Sequence, residues 1–198
     1  MTEMSLLQPA LFDAPARGPE GFRYQPDLLS ENEAQNLLAD LAGLDFKPFE
    51  FRGYFGKRHV ASFGWRYDFN HARLDAAAPI PPFLEPVRYK AAAFAGLAPE
   101  RLEQVLINRY QPGAGIGWHR DRPQFEDVVG VSLGSAGLLR FRRRQGSGWE
   151  RLTIPVASRS AYLLRGPSRT DWEHSLPEVE ALRYSITFRT FRRADPGS

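Results

Sequence analysis

Six short segments in the second half of the chain are rich in β-branched and aromatic residues, and this pattern constrains the fold more than any other feature. They span residues 105–107, 128–133, 138–141, 152–156, 161–164 and 184–188. Gly, Pro or Ser separates one segment from the next, and closely spaced short strands of this kind are typical of a β-sandwich or barrel. We therefore expect a mainly β fold with flanking helices, formed as one domain over residues 21–198.

Two helices are expected in the first half of the chain. Ser30 and Glu33 form the sequence signature of a capping box, and apolar residues follow at helical spacing until Gly43. A second helix is predicted from about residue 82 to residue 95, with Pro86 in its first turn and Gly96 at its end. Residues 1–20 contain three Pro and no periodic pattern, so we expect a flexible arm there.

Composition excludes several classes of chemistry. The chain has no Cys, which rules out disulfides, thiol nucleophiles, cysteine-ligated zinc and Fe–S clusters. No apolar run reaches the length of a membrane span, and no signal-peptide pattern is recognised at the N-terminus. The sequence therefore predicts a cytoplasmic protein without a membrane partner, and we expect a monomer.

The basic residues are unevenly divided between Arg and Lys. Of 26 Lys and Arg residues, three are Lys (47, 57 and 90), which leaves 23 Arg, and the net charge is +3. A genome of high GC content would produce the same bias. The functional interpretation is recognition of phosphate or carboxylate groups, which the guanidinium group binds bidentately.

A candidate metal site comes from His119, Asp121 and His174. On a strand, residues i and i+2 point to the same side, so an imidazole at 119 and a carboxylate at 121 could chelate one metal ion. Two His and one carboxylate with the other positions open form the facial triad of non-haem Fe(II) oxygenases. An ordinary surface His near an Asp is the alternative. Neither His59 nor His71 has a carboxylate at i+2, and we expect neither to bind the metal.

Residues 183–189 alternate strictly between apolar and polar side chains. Tyr184, Ile186 and Phe188 form one face. The polar face consists of Arg183, Ser185, Thr187 and Arg189. Two interpretations are open: the polar face is exposed to solvent, or it lines a barrel in which both Arg side chains lean towards one bound dicarboxylate. Asn108 and Tyr110 share a face of another predicted strand and add an amide and a phenol.

Taken in order, these motifs resemble the AlkB family of Fe(II)/2-oxoglutarate dioxygenases. The matching stretches lie within residues 104–191 and are Asn108-x-Tyr110-x-Pro112-Gly113, His119-x-Asp121, Ser132-Leu133-Gly134, His174 and Arg183-x5-Arg189. The resemblance implies a double-stranded β-helix, or jelly roll, that uses Fe(II), 2-oxoglutarate and O2. It implies His119, Asp121 and His174 as iron ligands. It also implies that 2-oxoglutarate contacts Asn108, Tyr110, Arg183 and Arg189, with Ser185 and Thr187 lining the same wall.

The resemblance also implies a substrate lid over about residues 45–70, where aromatic and basic residues interleave. Residues expected to contact substrate are Arg58, His59, Trp65, Tyr67, Trp118 and Arg122. The lid aromatics have an alternative interpretation as ordinary core. Two interpretations are open for a group of four basic residues, a phosphate-binding edge or a solvated strand end. The group consists of Arg140, Arg142, Arg143 and Arg144. Repair members of the family often carry an acid two places after the metal carboxylate, where this chain has Pro123.

Three functions are compatible with these motifs. The first is oxidative demethylation of N-alkylated DNA or RNA, releasing formaldehyde, succinate and CO2, with nucleic acid as the partner. The second is a protein hydroxylase or demethylase with the same cofactors. The third is a jelly-roll module that binds metal without catalysis. The paired Arg residues argue against the third, because such a module has no need of 2-oxoglutarate.

Overall fold

The computed structural model describes residues 18–51, 54–68 and 73–193. Most of the predicted N-terminal arm, His71 and four residues of the predicted lid (52, 53, 69 and 70) lie outside these ranges. The first elements are β1 (Phe22–Gln25), α1 (Glu31–Ala42), β2 (Lys47–Phe51), β3 (Tyr54–Phe63), β4 (Trp65–Asp68), β5 (Arg73–Ala76) and α2 (Glu85–Ala95). They are followed by β6 (Gln104–Tyr110), β7 (Ile116–His119), β8 (Phe125–Gly134), β9 (Gly137–Gln145), β10 (Gly148–Val156), β11 (Ala161–Leu164), α3 (Pro167–Thr170), β12 (Glu173–Leu176) and β13 (Arg183–Phe191).

The strands form two facing antiparallel sheets, which confirms the expected jelly roll. The larger sheet has the order β1-β11-β8-β13-β6-β3-β2, and the smaller sheet has the order β10-β9-β12-β7. A separate hairpin pairs β4 with β5. All six segments predicted from the sequence lie within strands. The short strands β7 and β12 lie outside these six segments, since they lack the continuous apolar run that marked the equally short β11.

Helices α1 and α2 cover the outer face of the larger sheet. Helix α1 begins at the predicted capping box, in which the Glu33 amide donates to Ser30 Oγ at 3.3 Å and the Ser30 amide donates to Glu33 Oε2 at 2.8 Å. Helix α2 ends at Gly96, whose φ of 68° is left-handed and therefore favours glycine. A 3₁₀ turn at Pro82–Leu84 completes the start of the predicted second helix. Within the described ranges, no helix is long and apolar enough to cross a bilayer.

Strand β13 lies in the middle of the larger sheet, between β8 and β6. Its apolar side chains Tyr184, Ile186 and Phe188 pack with the helices in one buried cluster. The polar side chains are buried as well, so the solvent-exposed interpretation is wrong. Because alternate side chains of a strand point to opposite faces, the polar set faces the space between the two sheets.

Candidate active site

The three predicted metal ligands come together in the structure. His119 is the last residue of β7, and antiparallel pairing places it directly opposite His174 in β12. One donor atom from each of His119, Asp121 and His174 lies within 4.8 Å of the others. The strand argument for Asp121 was wrong, however, since β7 ends at His119 and Asp121 lies in the following loop. The loop, and not strand alternation, carries the carboxylate to the imidazoles.

Both imidazoles are held in the form that can donate to a metal. His119 Nδ1 lies 2.9 Å from the Gly117 carbonyl oxygen, a contact that leaves Nε2 of that ring free for a metal. Burial, followed by the neighbouring His119, lowers the pKa of His174 to about 3. Burial also lowers the pKa of His119. Both rings are therefore neutral near pH 7, with a lone pair available.

Asp121 is ionised because cations surround it. Burial by itself would raise its pKa, but the neighbouring Arg189 guanidinium holds that pKa well below its usual range. Arg189 donates its Nε to Asp121 Oδ1 at 2.8 Å and its NH1 to Gln104 Oε1 at 2.8 Å. Asp121 Oδ2 lies 3.6 Å from His174 Nε2. One carboxylate oxygen is thus held by the protein, and the other faces the metal position.

Arg183 lies at the other end of the polar face and has a different environment. Its side chain is 2% exposed, and its NH2 donates to Ser132 Oγ at 2.7 Å. Its Nε is buried and has no hydrogen-bond partner among the described residues. A Cβ atom added at Gly137 would lie 3.0 Å from this Nε, so the glycine keeps space open beside it. A buried guanidinium group with an unused donor is suited to an anionic ligand.

The structure therefore separates the two Arg residues that were expected to lean towards one ligand. Arg189 is engaged by Asp121 and Gln104, whereas Arg183 retains a free donor. The reason is the length of β13: six residues along a strand correspond to about 20 Å, so the two side chains reach different parts of the cavity.

Strand β6 presents the two remaining predicted contacts. Asn108 pairs in register with Ser185, and Tyr110 pairs with Arg183, so both lie beside the polar face of β13. From the other neighbouring strand, Arg58 donates its Nε to Asn108 Oδ1 at 3.0 Å. The Arg58 guanidinium carbon lies 3.6 Å from the centre of the Phe49 ring. Burial lowers the pKa of Arg58.

All of these groups line a single cleft of about 1290 Å³ between the two sheets. Residues from the sequence prediction that line it are His119, Asp121, His174, Asn108, Tyr110, Arg183, Ser185, Thr187, Arg189, Arg58, Tyr67, Trp118 and Arg122. Arg122 lies over the Tyr67 ring, 4.6 Å from its centre, at the side formed by the β4–β5 hairpin.

Two predicted substrate residues lie off the cleft. His59 follows Arg58 on β3, and alternation turns it to the opposite face of the sheet. Trp65 packs edge-on against Phe191, with 5.7 Å between the ring centres, and is 37% exposed. The sequence placed both in the lid but did not specify the face on which each would lie.

Three residues of the cleft and its supporting loop were not predicted. Gln104 shares the cleft face of β6 with Asn108 and Tyr110, and extending that alternation would have found it. Tyr162 lines the cleft from β11, and burial raises its pKa. Arg169, 5% exposed in α3, donates to the carbonyl oxygens of Arg122 and Phe125 and so holds the loop that carries Asp121. The sequence contains no local signal for that last contact.

Comparison with known proteins identifies relatives of this chain among non-haem iron oxygenases. Residues 21–189 match the family model described as the 2OG-Fe(II) oxygenase superfamily. The Arabidopsis thaliana "Alkylated DNA repair protein ALKBH8 homolog" is 26% identical, with 85% of this chain and 54% of the relative covered. The human "DNA oxidative demethylase ALKBH2" is 31% identical, with 64% and 52% covered. The chain thus spans about half the length of these relatives.

Solved structures share the fold. The structure of OsALKBH1 superposes with a TM-score of 0.67 at 16% identity, covering 86% of this chain and 96% of that one. A Pseudomonas putida prolyl-4-hydroxylase gives a TM-score of 0.61 at 15% identity, covering 89% and 95%. The jelly roll expected from the AlkB resemblance is confirmed by these superpositions.

Proposed function

The chain belongs to the 2OG-Fe(II) oxygenase superfamily, and from that premise we propose that it oxidatively demethylates N-alkylated nucleic acid. The observation that carries the proposal is the cleft itself. It joins a two-His, one-carboxylate cluster, of which His174 is buried, to a buried Arg183 with an unused donor, and stacked Arg and aromatic side chains line its walls.

His119, Asp121 and His174 would hold the iron. Two neutral imidazoles and one ionised carboxylate are the donor set of the facial triad. Arg189 and Gln104 orient the carboxylate, and the Gly117 carbonyl orients the His119 ring. When bound, Fe(II) with 2-oxoglutarate and O2 couples decarboxylation to succinate and CO2 with hydroxylation of a C–H bond, and a hydroxylated N-methyl group is lost as formaldehyde.

Arg183 would bind the distal carboxylate of 2-oxoglutarate. Its Nε is unpaired, its NH2 is fixed by Ser132, and its charge is buried without an acidic partner among the described residues. Leaving a charge in that state costs several kcal/mol, which a bound carboxylate offsets. Tyr110 lies 5.5 Å from the Arg183 guanidinium, beside the same space. Asn108, Ser185 and Thr187 complete this wall.

The part of the cleft lined by Arg58, Phe49, Tyr67 and Arg122 would receive the substrate. Arg58 stacks on Phe49, and Arg122 stacks on Tyr67. An extruded base can stack against such an aromatic–guanidinium pair, since every base offers a π face and hydrogen-bonding edges. The name of the Arabidopsis relative refers to repair of alkylated DNA, and that of the human relative to oxidative demethylation of DNA, which supports the proposal. Trp118 lies next to His119 in sequence and is among the residues that line the cleft.

Pro123 stands where repair members of the AlkB family often have a base-reading acid. A proline side chain offers no hydrogen bond to a base, so this proposal assigns recognition to Arg58 and Arg122, two of the polar residues that line the cleft. Such a site would select its substrate by stacking on the base and by hydrogen bonds to acceptor atoms of the base or phosphate.

The test is formaldehyde release in the presence of Fe(II), 2-oxoglutarate and O2. The substrates are DNA and RNA oligonucleotides with N-methylated bases, together with methyl-lysine peptides, and His174→Ala is the matched inactive control. The proposal expects formaldehyde and succinate in equal amounts from one of the oligonucleotides. Formaldehyde from the peptides alone would overturn the nucleic-acid assignment in favour of a protein substrate, and succinate without formaldehyde from any substrate would overturn demethylation.

A further inference from the structure

The outer face of the smaller sheet carries a row of Arg residues interleaved with two Trp residues. Arg140, Arg142 and Arg144 alternate along β9 with the buried side chains of Leu139 and Phe141, so all three point away from the core. Arg151 lies on the adjacent strand, opposite Arg142 in the pairing of β10 with β9. We call these four residues, together with Trp118 and Trp149, the arginine row.

The indole rings hold the guanidinium groups in an ordered stack. Trp118 lies 5.2 Å from the Arg140 guanidinium and 4.5 Å from that of Arg142. Trp149 lies 4.3 Å from Arg142 and 4.9 Å from Arg144. Each of these three guanidinium groups also donates one hydrogen bond within the protein, Arg140 to Ser175 Oγ, Arg142 to Glu173 and Arg144 to the Ser147 carbonyl oxygen. A guanidinium group has five N–H donors, so others remain at its edge. The row is therefore preorganised to donate hydrogen bonds.

Folding alone does not account for the charge in this row. Like charges directly opposite each other on paired strands are destabilising, and Arg142 faces Arg151. Glu173 pairs with Arg142 at 2.6 Å. Among the described residues, no ion pair is found for Arg140, Arg144 or Arg151. The face thus has one acid for four Arg residues, and an anionic partner would complete it.

We propose that the arginine row binds the phosphodiester backbone of the nucleic-acid strand whose target nucleotide enters the cleft. Arg binds phosphate bidentately, and alternate residues of a strand repeat about every 6.7 Å, which allows successive phosphates of an extended strand to be contacted. Trp118 belongs to the row and also lines the cleft. The row therefore begins one residue along β7 from the cleft residue His119. The inference rests on the proposed function.

The location of the arginine row relative to the cleft favours a nucleic-acid strand over an acidic peptide as its partner. The row begins beside His119 and continues away from the cleft across β9 and β10, which suits a polymer that has regular charge on both sides of its reacting unit. Because guanidinium groups already cover the indoles, these rings serve to order the row, and the phosphates supply the contacts.

The test measures binding of a labelled single-stranded oligonucleotide, as DNA and as RNA, across a range of salt concentrations. The variants are Arg140→Gln/Arg144→Gln/Arg151→Gln and the corresponding triple Lys variant. Loss of three phosphate contacts lowers the slope of log affinity against log salt by about 2 and weakens binding roughly tenfold or more at low salt. The Lys variant keeps the charge and is expected to retain most of the slope. Arg143→Gln is the matched control, since Arg143 is on the other side of β9 and pairs with Glu150.

Turnover of a methylated nucleoside separates this inference from the proposed function. The three substituted Arg residues do not line the cleft that would hold a nucleoside, so the Gln variant should oxidise a nucleoside as fast as the unchanged protein does. An unchanged salt slope in the Gln variant would overturn the inference while leaving demethylation standing. It would also be overturned if a labelled poly-glutamate peptide, and not the oligonucleotide, lost binding in that variant. If the unchanged protein bound no oligonucleotide, both proposals would fail.

Discussion

Arg189 and Asp121 are joined through a single carboxylate oxygen. Arg189 Nε and NH2 lie 2.8 and 2.7 Å from Asp121 Oδ1, while Oδ2 lies 3.6 Å from His174 Nε2. The guanidinium group thereby sets the rotation of the carboxylate and leaves one oxygen for a metal. Because Gln104 holds Arg189 from the other side, the arrangement is fixed before any metal binds.

Removing a member of the candidate triad should abolish turnover and leave the fold intact. His119→Ala and Asp121→Ala each delete one of three donors, and a facial triad with two donors binds iron weakly. Calorimetry measures iron binding, and the formation of succinate measures turnover. His59→Ala is the matched control, since His59 lies off the cleft and should change neither quantity. Normal activity in either triad variant would contradict the metal assignment.

Arg183→Lys should weaken the binding of 2-oxoglutarate and leave iron binding nearly unchanged. Lys keeps the charge but loses the planar fork that serves Ser132 and the carboxylate together. One charge-assisted hydrogen bond contributes about 1.5–3 kcal/mol, so the apparent constant for 2-oxoglutarate should rise roughly 10- to 100-fold. Titration of the variant and the unchanged protein with 2-oxoglutarate measures this constant. An unchanged constant would mean that the cosubstrate binds elsewhere in the cleft.

Arg189→Lys should behave differently from Arg183→Lys, because Arg189 acts through Asp121. Loss of an outer partner of a metal ligand typically reduces metal affinity by about 10- to 100-fold. We expect the iron affinity to fall in that range. Gln104→Leu should produce a smaller loss of the same kind, since it frees one side of Arg189. If Arg189→Lys raised the 2-oxoglutarate constant while iron affinity stayed normal, Arg189 would be a direct cosubstrate contact.

Glu33 should make the stability of the protein depend on acid pH. The hydrogen bond from Lys90, followed by those of Ser30, lowers the pKa of Glu33 to about 2 from its ordinary value of 4.5. A carboxyl group whose pKa is lowered on folding stabilises the protein above the unfolded pKa and loses that effect as pH falls through the folded pKa. The contribution should therefore be complete above pH 4.5 and disappear towards pH 2.

The free energy of unfolding in urea, compared between the unchanged protein and Glu33→Gln, tests this dependence. Since Glu33 is 42% exposed, the difference at pH 7 should be below about 1 kcal/mol. Gln retains the geometry of the capping box, so the variant isolates the charge. A difference that stayed constant from pH 7 down to pH 2 would contradict the role of the ionised carboxylate.

Gly130→Ala should destabilise the protein, because a Cβ atom there would lie 2.2–2.5 Å from ring atoms of Tyr162. Tyr162 lines the cleft and is 8% exposed, so it has little room to move. Overpacking of this kind costs about 1–3 kcal/mol. Gly148→Ala is the matched control, since its nearest atom would be 3.8 Å away. Thermal unfolding of both variants measures the difference, and equal melting temperatures would show that Tyr162 moves freely.

Much of the fold and site could be predicted because the relevant patterns are local. Strict alternation over residues 183–189 requires one polar and one apolar face whatever surrounds the strand. The capping box at Ser30 and Glu33 likewise needs only four consecutive residues. The AlkB resemblance added the order of the motifs, and with it the grouping of His119, Asp121 and His174.

Tertiary structure decided which side chains meet. Residues 121 and 189 are 68 positions apart, and their ion pair depends on where a loop leaves β7 and on the register of β13. In the same way, sequence could place Arg58 and His59 in one strand, but only the pairing of β3 with β6 directed Arg58 to Asn108 and turned His59 away from the cleft. A one-residue shift in register exchanges the two faces of a strand, and that register is set by packing across the whole sheet.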